Sequence, residues 1–73
     1  MSHLPRISGQ ECRKALAKAG YVLDRRRGSH MTLIRAEPFA AVTVPDHREL
    51  DAGRLRAIIR ASGLTLEEFR ALL

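Results

Sequence analysis

Three segments of strand-forming residues follow one another between residues 21 and 45, and only short turns separate them. The first strand begins over residues 21–25, and the next two strands span residues 29–35 and 39–44. Gly28 and Pro38 lie in the two intervening turns, where glycine and proline are common. Strands joined by such short turns pair antiparallel, because a parallel crossover needs about a dozen residues or more. The sequence therefore predicts a three-stranded antiparallel sheet.

Amphipathic helical segments flank the three strands on both sides. A Ser-x-x-Glu capping box at residues 8–11 begins a helix that ends near Gly20. Asp51 can cap a second helix that ends at Gly63, and a capping box at Thr65 begins a short last helix. Each of the two main helices has a single apolar stripe, so both should cover the same face of the sheet. The predicted class is α+β in the α-β-β-β-α order of double-stranded-RNA-binding domains.

Length and composition limit what this protein can be. A chain of 73 residues fits one small domain with a thin core, so we expect residues 1–73 to form a single domain. No apolar run approaches the roughly 18 residues that cross a bilayer, and Met1–Arg6 has no apolar signal-peptide stretch. Cys12 is the only cysteine, and the histidines lack zinc-site spacing. We expect a cytoplasmic protein without a cofactor or a metal.

Basic residues are concentrated in the first half of the chain. Residues 1–36 carry eight basic and two acidic side chains, whereas residues 37–73 carry five and six. Arginine outnumbers lysine 11 to 2, and its guanidinium suits bidentate contacts with phosphate. A basic half favours a polyanionic partner such as a nucleic acid, although genome composition alone can produce the same arginine bias.

Alternation along the second and third strands predicts which side chains share a face. The positions of one parity are apolar, whereas those of the other parity are mixed in polarity. The apolar set, expected to face the helices, is Met31, Leu33, Val42 and Val44, and the mixed set includes His30, Thr32 and Thr43. His30 should therefore lie on the open face, just beyond the turn that follows three arginines.

His30 and the residues before it can support RNA cleavage without a metal or a cofactor. RNA carries its own nucleophile, the 2′-hydroxyl beside each phosphate, so the protein must move protons and stabilise charge. Histidine titrates near neutral pH and is suited to proton transfer. Arginine side chains and backbone amides at a glycine turn can stabilise the phosphate. The candidate RNA-binding residues are Arg25, Arg26, Arg27, Gly28 and Ser29.

Three short motifs follow one another at characteristic distances. Gly-Ser-His at 28–30 follows the first strand, Val-Thr-Val-Pro stands at 42–45, and a Gly-Leu-Thr helix start stands at 63–65. Together with residues 14–21 and 55–60, these motifs resemble the HicA family, small toxins also described as YcfA-like proteins. The resemblance covers nearly the whole chain, from about Ser8 to Leu72.

The resemblance to HicA implies a fold, an activity and a partner. It implies a double-stranded-RNA-binding-like fold and an mRNA interferase that cleaves RNA without requiring the ribosome. His30 matches the functional histidine of the Gly-Ser-His motif, which implies a catalytic role for it. A HicB-type antitoxin is the implied protein partner. The resulting hypothesis is the toxin of a type II toxin–antitoxin pair, cleaving RNA by metal-independent 2′-hydroxyl attack with His30 as acid or base.

Two other functions fit the same sequence features. A non-catalytic RNA-binding module would have the same element order and the same basic half, and it would bind RNA with a steep salt dependence. A protein-interaction domain would use its basic surface to meet an acidic partner. His47 is a second candidate acid–base group, with an ordinary loop histidine as the alternative.

Overall fold

The structure, a computed structural model, describes residues 4–73, and its three strands form one antiparallel sheet in the order β1-β2-β3. The strands are β1 (Val22–Arg27), β2 (His30–Arg35) and β3 (Ala40–Pro45). Gly28 and Ser29 form the turn between β1 and β2, and Gly28 has a φ of +59°. A positive φ at only the first turn residue is typical of a type II′ hairpin, whose twist matches that of the strands. The predicted antiparallel meander is confirmed.

The helices begin and end close to the residues that the sequence predicts. They are α1 (Gly9–Lys18), α2 (Ala52–Ser62) and α3 (Leu66–Ala71). Capping boxes begin α1 at Ser8 and α3 at Thr65, and the Asp51 carboxylate accepts the Arg54 backbone N–H at 2.7 Å to begin α2. These caps satisfy amide groups that have no partner within the helix. The α-β-β-β-α order of the α+β class is therefore confirmed.

One hydrophobic core lies between the sheet and the helices. Met31, Leu33, Val42 and Val44 are all buried in it, so the strand parity deduced from the sequence is correct. The helices contribute mainly aliphatic side chains, and α3 adds the fully buried ring of Phe69. Burying this apolar surface is the main stabilising contribution for a domain of this size.

Some element boundaries differ from the prediction. Tyr21 precedes β1 and is buried, and its hydroxyl donates to the carbonyl oxygen of Ser62 at 2.9 Å. Ser29 belongs to the hairpin turn, and Phe39 lies in the next turn with its side chain exposed. Leu50 is buried in the core, although polar residues precede and follow it in the sequence. Both Phe39 and Leu50 are apolar, but whether each side chain is buried or exposed depends on tertiary packing.

The start of α1 packs closely on the segment that follows β3. The Gly9 backbone N–H donates to the carbonyl oxygen of His47 at 2.9 Å. A Cβ atom at Gly9 would collide with the carbonyl oxygen of Pro45, so no larger residue fits without a backbone shift. This approach holds the end of β3, and thus the strand beside His30, in a defined position.

No helix within residues 4–73 is long and apolar enough to cross a membrane.

Candidate active site on the open sheet face

The register of the sheet determines which candidate residues lie on the open face. His30 lies opposite Arg27 on β1 and opposite Pro45 on β3, and Thr32 lies opposite Arg25 and Thr43. Directly paired residues of antiparallel strands project to the same face. The open face therefore carries two arginines, one histidine and two threonines, listed across the sheet as Arg25, Arg27, His30, Thr32 and Thr43.

His30 occupies the end of the hairpin, immediately after the Gly28–Ser29 turn. Its side chain is exposed, and the opposed Arg27 side chain is exposed as well. The Cβ atoms of such a pair lie about 4.5–5.5 Å apart, so a guanidinium and an imidazole can reach one bound phosphate. The backbone N–H of Asp46 donates to the carbonyl oxygen of Ser29 at 2.6 Å and attaches the turn to the end of β3.

Arg26 has surroundings different from those of its two neighbours. It lies opposite the buried Met31, which places it on the helix-covered face of the sheet. One of its guanidinium nitrogens lies 2.7 Å from a carboxylate oxygen of Asp46. The structure therefore brings Arg25 and Arg27 together with His30, whereas Arg26 ties β1 to the loop after β3.

The contact with Arg26 changes the pKa of the Asp46 carboxyl group. The hydrogen bond from Arg26 lowers the pKa of Asp46 below its usual value of 3.8, and the amide of Gln10 adds to the effect. A group whose folded pKa is depressed stabilises the fold above its unfolded pKa. That contribution is lost as the pH falls through the lower, folded-state pKa.

Asp46→Asn should therefore make the unfolding free energy depend less steeply on pH in acid. The wild type should lose unfolding free energy below about pH 4, and the variant should lose less over the same range because it has no carboxyl group to protonate there. Urea unfolding at a series of pH values measures this difference. Glu67→Gln is the control, since Glu67 is an exposed acid of α3. An equal loss of unfolding free energy in acid for wild type and Asp46→Asn would contradict the lowered pKa of Asp46.

A groove of about 350 Å³ adjoins His30 on the side of β3. One wall consists of residues of β3, and the other consists of the neighbouring face of α2. Ala57 and Ala61 have small side chains, which leave space between α2 and β3. The exposed side chain of Arg54 lies on the same face of α2. The residues lining the groove are His30, Ala41, Val42, Thr43, Pro45, Arg54, Ala57, Ile58 and Ala61.

The remaining candidate groups have simpler surroundings. His47 is partly buried two residues beyond Pro45, and its carbonyl oxygen accepts the Gly9 N–H. Burial raises the pKa of the Cys12 thiol to about 12, so the reactive thiolate form is suppressed at neutral pH. His3 lies outside the described residues. Within residues 4–73, no three histidine, cysteine or acidic side chains are grouped as metal ligands.

Two features of the site were not anticipated from the sequence. The first is the ion pair between Asp46 and Arg26, which joins segments 20 positions apart. The two-residue turn at Gly28 could have indicated this, because it aligns Arg26 with Met31 on the covered face. The groove wall formed by Arg54, Ala57 and Ala61 follows a helical spacing, but the sequence does not reveal how α2 sits beside β3.

The fold and the site together define a small α+β domain with an open sheet face that presents arginines and a histidine. The family model described as the HicA toxin of bacterial toxin–antitoxin systems matches residues 9–64 of the 73-residue chain. The chain therefore belongs to the HicA toxin family. Membership makes it the toxin member of a toxin–antitoxin pair, with an antitoxin as its partner. No individually curated protein matches the chain.

Proposed function

We propose that this protein is an endoribonuclease, an mRNA interferase that cleaves RNA with His30 as its catalytic residue. The observation that carries the proposal is the position of His30, exposed on the open face and directly opposite Arg27 at the end of the hairpin. A histidine beside a cation on an uncovered sheet face is accessible to a polyanion. Membership of a toxin family supports a harmful activity rather than a purely structural role.

The proposed reaction uses the 2′-hydroxyl of the substrate as the nucleophile. The 2′-oxygen forms a bond to the adjacent phosphorus, and the bond from phosphorus to the 5′-oxygen breaks. The products are a 2′,3′-cyclic phosphate and a 5′-hydroxyl. His30 accepts the proton of the 2′-hydroxyl, donates a proton to the leaving 5′-oxygen, or does both in turn. Such acid–base catalysis contributes typically about 10²–10⁴-fold to a rate.

Arg25 and Arg27 are the proposed phosphate-binding residues of the open face. Neither takes part in an ion pair with another side chain of residues 4–73, so both can meet a phosphate without first breaking one. Arg26 can contribute long-range attraction from its place beside Asp46, and Gly28 and Ser29 shape the turn that presents His30. The interaction of a guanidinium with phosphate is charge-assisted and can be bidentate.

The Arg25→Ala and Arg27→Ala variants should weaken RNA binding and reduce its salt dependence. The logarithm of the binding constant falls with the logarithm of salt concentration by about 0.7 per phosphate contact for single strands, so each variant should lower the slope by about that amount. A fluorescence titration with a 2′-O-methyl oligonucleotide at several salt concentrations measures the slope. Arg70→Ala removes the same charge from α3 and serves as the control. Slopes equal to that of wild type would contradict the phosphate-binding role.

Cleavage of a long single-stranded RNA by the purified chain tests the proposed function. We expect fragments from wild type and much slower cleavage by the Arg25→Ala and Arg27→Ala variants. Intact RNA after incubation with wild type, together with salt-dependent binding, would instead identify a non-catalytic RNA-binding module. An RNA affinity that is negligible at physiological salt would identify a protein-interaction domain.

We also propose a HicB-type antitoxin as the partner and the cytoplasm as the site of action. An antitoxin that covers the open face would block His30 and the two free arginines at once. Acidic groups on the antitoxin would complement the basic open face. Messenger RNA, the proposed substrate, is read in the cytoplasm, where such a toxin would act.

A further inference from the structure

The groove between β3 and α2 combines apolar walls with polar groups at its margin. Ala41, Ala57 and Ala61 contribute methyl groups, and Pro45 adds a ring surface. Arg54 and Thr43 supply a guanidinium and a hydroxyl group, and His30 lies at the same groove. Flat heteroaromatic ligands suit such a site, because their faces contact apolar walls while their edges form hydrogen bonds.

The size of the groove restricts what it can hold. Its volume of about 350 Å³ lies near the lower end of the range for small-molecule sites. That space suits one base with part of its ribose. Single-stranded RNA is typically recognised with its bases splayed out of the stack, so that protein side chains contact their faces and edges.

The charges around the groove favour an anionic ligand. Arg54 stands on the helix wall with its side chain 55% exposed, and its nearest acid, Asp51, is 3.7 Å away. An exposed ion pair at this distance is weak, so Arg54 is available to a ligand at little cost. Arg25 and Arg27 lie on β1, across the sheet from the groove. An RNA chain whose phosphates bind these arginines could place a neighbouring base past His30 in the groove.

We propose that this groove binds one nucleobase of a single-stranded RNA, next to the phosphate that is cut, and that Arg54 determines which base is accepted. The proposal rests on the proposed endoribonuclease function and adds the substrate subsite to it. The planar guanidinium of Arg54 can donate two parallel hydrogen bonds to a base edge with two acceptors. Thr43 can donate or accept one more hydrogen bond.

Binding of a non-cleavable oligonucleotide tests this subsite separately from catalysis. A short 2′-O-methyl RNA lacks the nucleophile, so it reports binding whether or not the protein cleaves RNA. We expect it to shift the NMR signals of the Ala57 and Ala61 methyl groups, whereas the Ala71 methyl group of α3 should not move. A matched oligonucleotide that lacks one base at the groove position should leave the Ala57 and Ala61 signals unshifted.

The affinities of two pairs of variants for the oligonucleotide test the same subsite. Arg54→Ala should weaken binding of the preferred oligonucleotide by about 10- to 100-fold, the range for loss of a bidentate contact to a base. Arg56→Ala removes the same charge from an exposed α2 position outside the groove and should have a much smaller effect. Ala57→Leu should fill the groove and weaken binding, whereas Ala71→Leu on α3 should not.

Several results would overturn the subsite. Binding that leaves the Ala57 and Ala61 methyl signals unmoved would do so, and so would equal effects of Arg54→Ala and Arg56→Ala. Shifts of these methyl signals by an antitoxin but not by RNA would assign the groove to the protein partner. The endoribonuclease proposal is judged independently, by whether wild type cuts RNA that has its 2′-hydroxyls.

Discussion

Replacing His30 with alanine should reduce RNA cleavage by about 10²–10⁴-fold, the usual contribution of a positioned acid or base. The His30 imidazole is the proposed acid–base group of the open face, directly opposite Arg27. Without it, the reaction loses the group proposed to transfer protons to and from the reacting oxygens. The initial rate of fragment formation from a labelled single-stranded RNA measures the loss.

The His30→Ala variant should keep its fold and most of its affinity for RNA. His30 is exposed, and its removal leaves no cavity in the core. Circular dichroism and a binding titration serve as controls, and growth inhibition on expression should disappear along with cleavage. His47→Ala tests the second histidine, and a smaller effect is expected because His47 lies beyond the end of β3. Wild-type cleavage by His30→Ala would remove it from the mechanism.

Replacing Phe69 with alanine should remove a large part of the stability of the domain. Its ring is 0% exposed, although it comes from the short helix α3 that lies beyond the residues matched by the family model. Truncating a buried Phe to Ala costs about 3–5 kcal/mol, through lost apolar burial and the cavity that remains. Small domains have unfolding free energies of only about 5–15 kcal/mol, so the loss is a large fraction of the total.

Urea unfolding followed by circular dichroism measures the change in unfolding free energy. Leu73→Ala is the matched control, because Leu73 is an apolar residue near Phe69 in sequence and is 48% exposed. Its removal should change the unfolding free energy by less than about 0.5 kcal/mol, as at most surface positions. Equal, small effects of the two substitutions would mean that α3 does not complete the core.

Local sequence rules were sufficient to predict the elements of this fold. Capping residues at Ser8, Asp51 and Thr65 marked the helix starts, and apolar alternation separated the faces of β2 and β3. These features are local, since a cap or a parity depends on neighbours only a few residues away. His30 could be placed on the open face for the same reason.

The features that the sequence did not predict depend on contacts between distant segments. The separation of Arg26 from its two neighbours follows from the register with β2, and its partner Asp46 lies 20 positions further along the chain. The groove depends on how α2 packs beside β3, which helical spacing does not specify. Both features alter the functional interpretation, because they leave two arginines on the open face and place a groove next to His30.

The chemistry of the RNA ends tests the proposed mechanism most directly. Wild type and His30→Ala are each incubated with a long single-stranded RNA in EDTA, and the fragment termini are identified by mass spectrometry. We expect wild type alone to produce fragments that end in a 2′,3′-cyclic phosphate or a 3′-phosphate and begin with a 5′-hydroxyl. Fragments that carry 5′-phosphates, or equal cleavage by both proteins, would contradict 2′-hydroxyl attack assisted by His30.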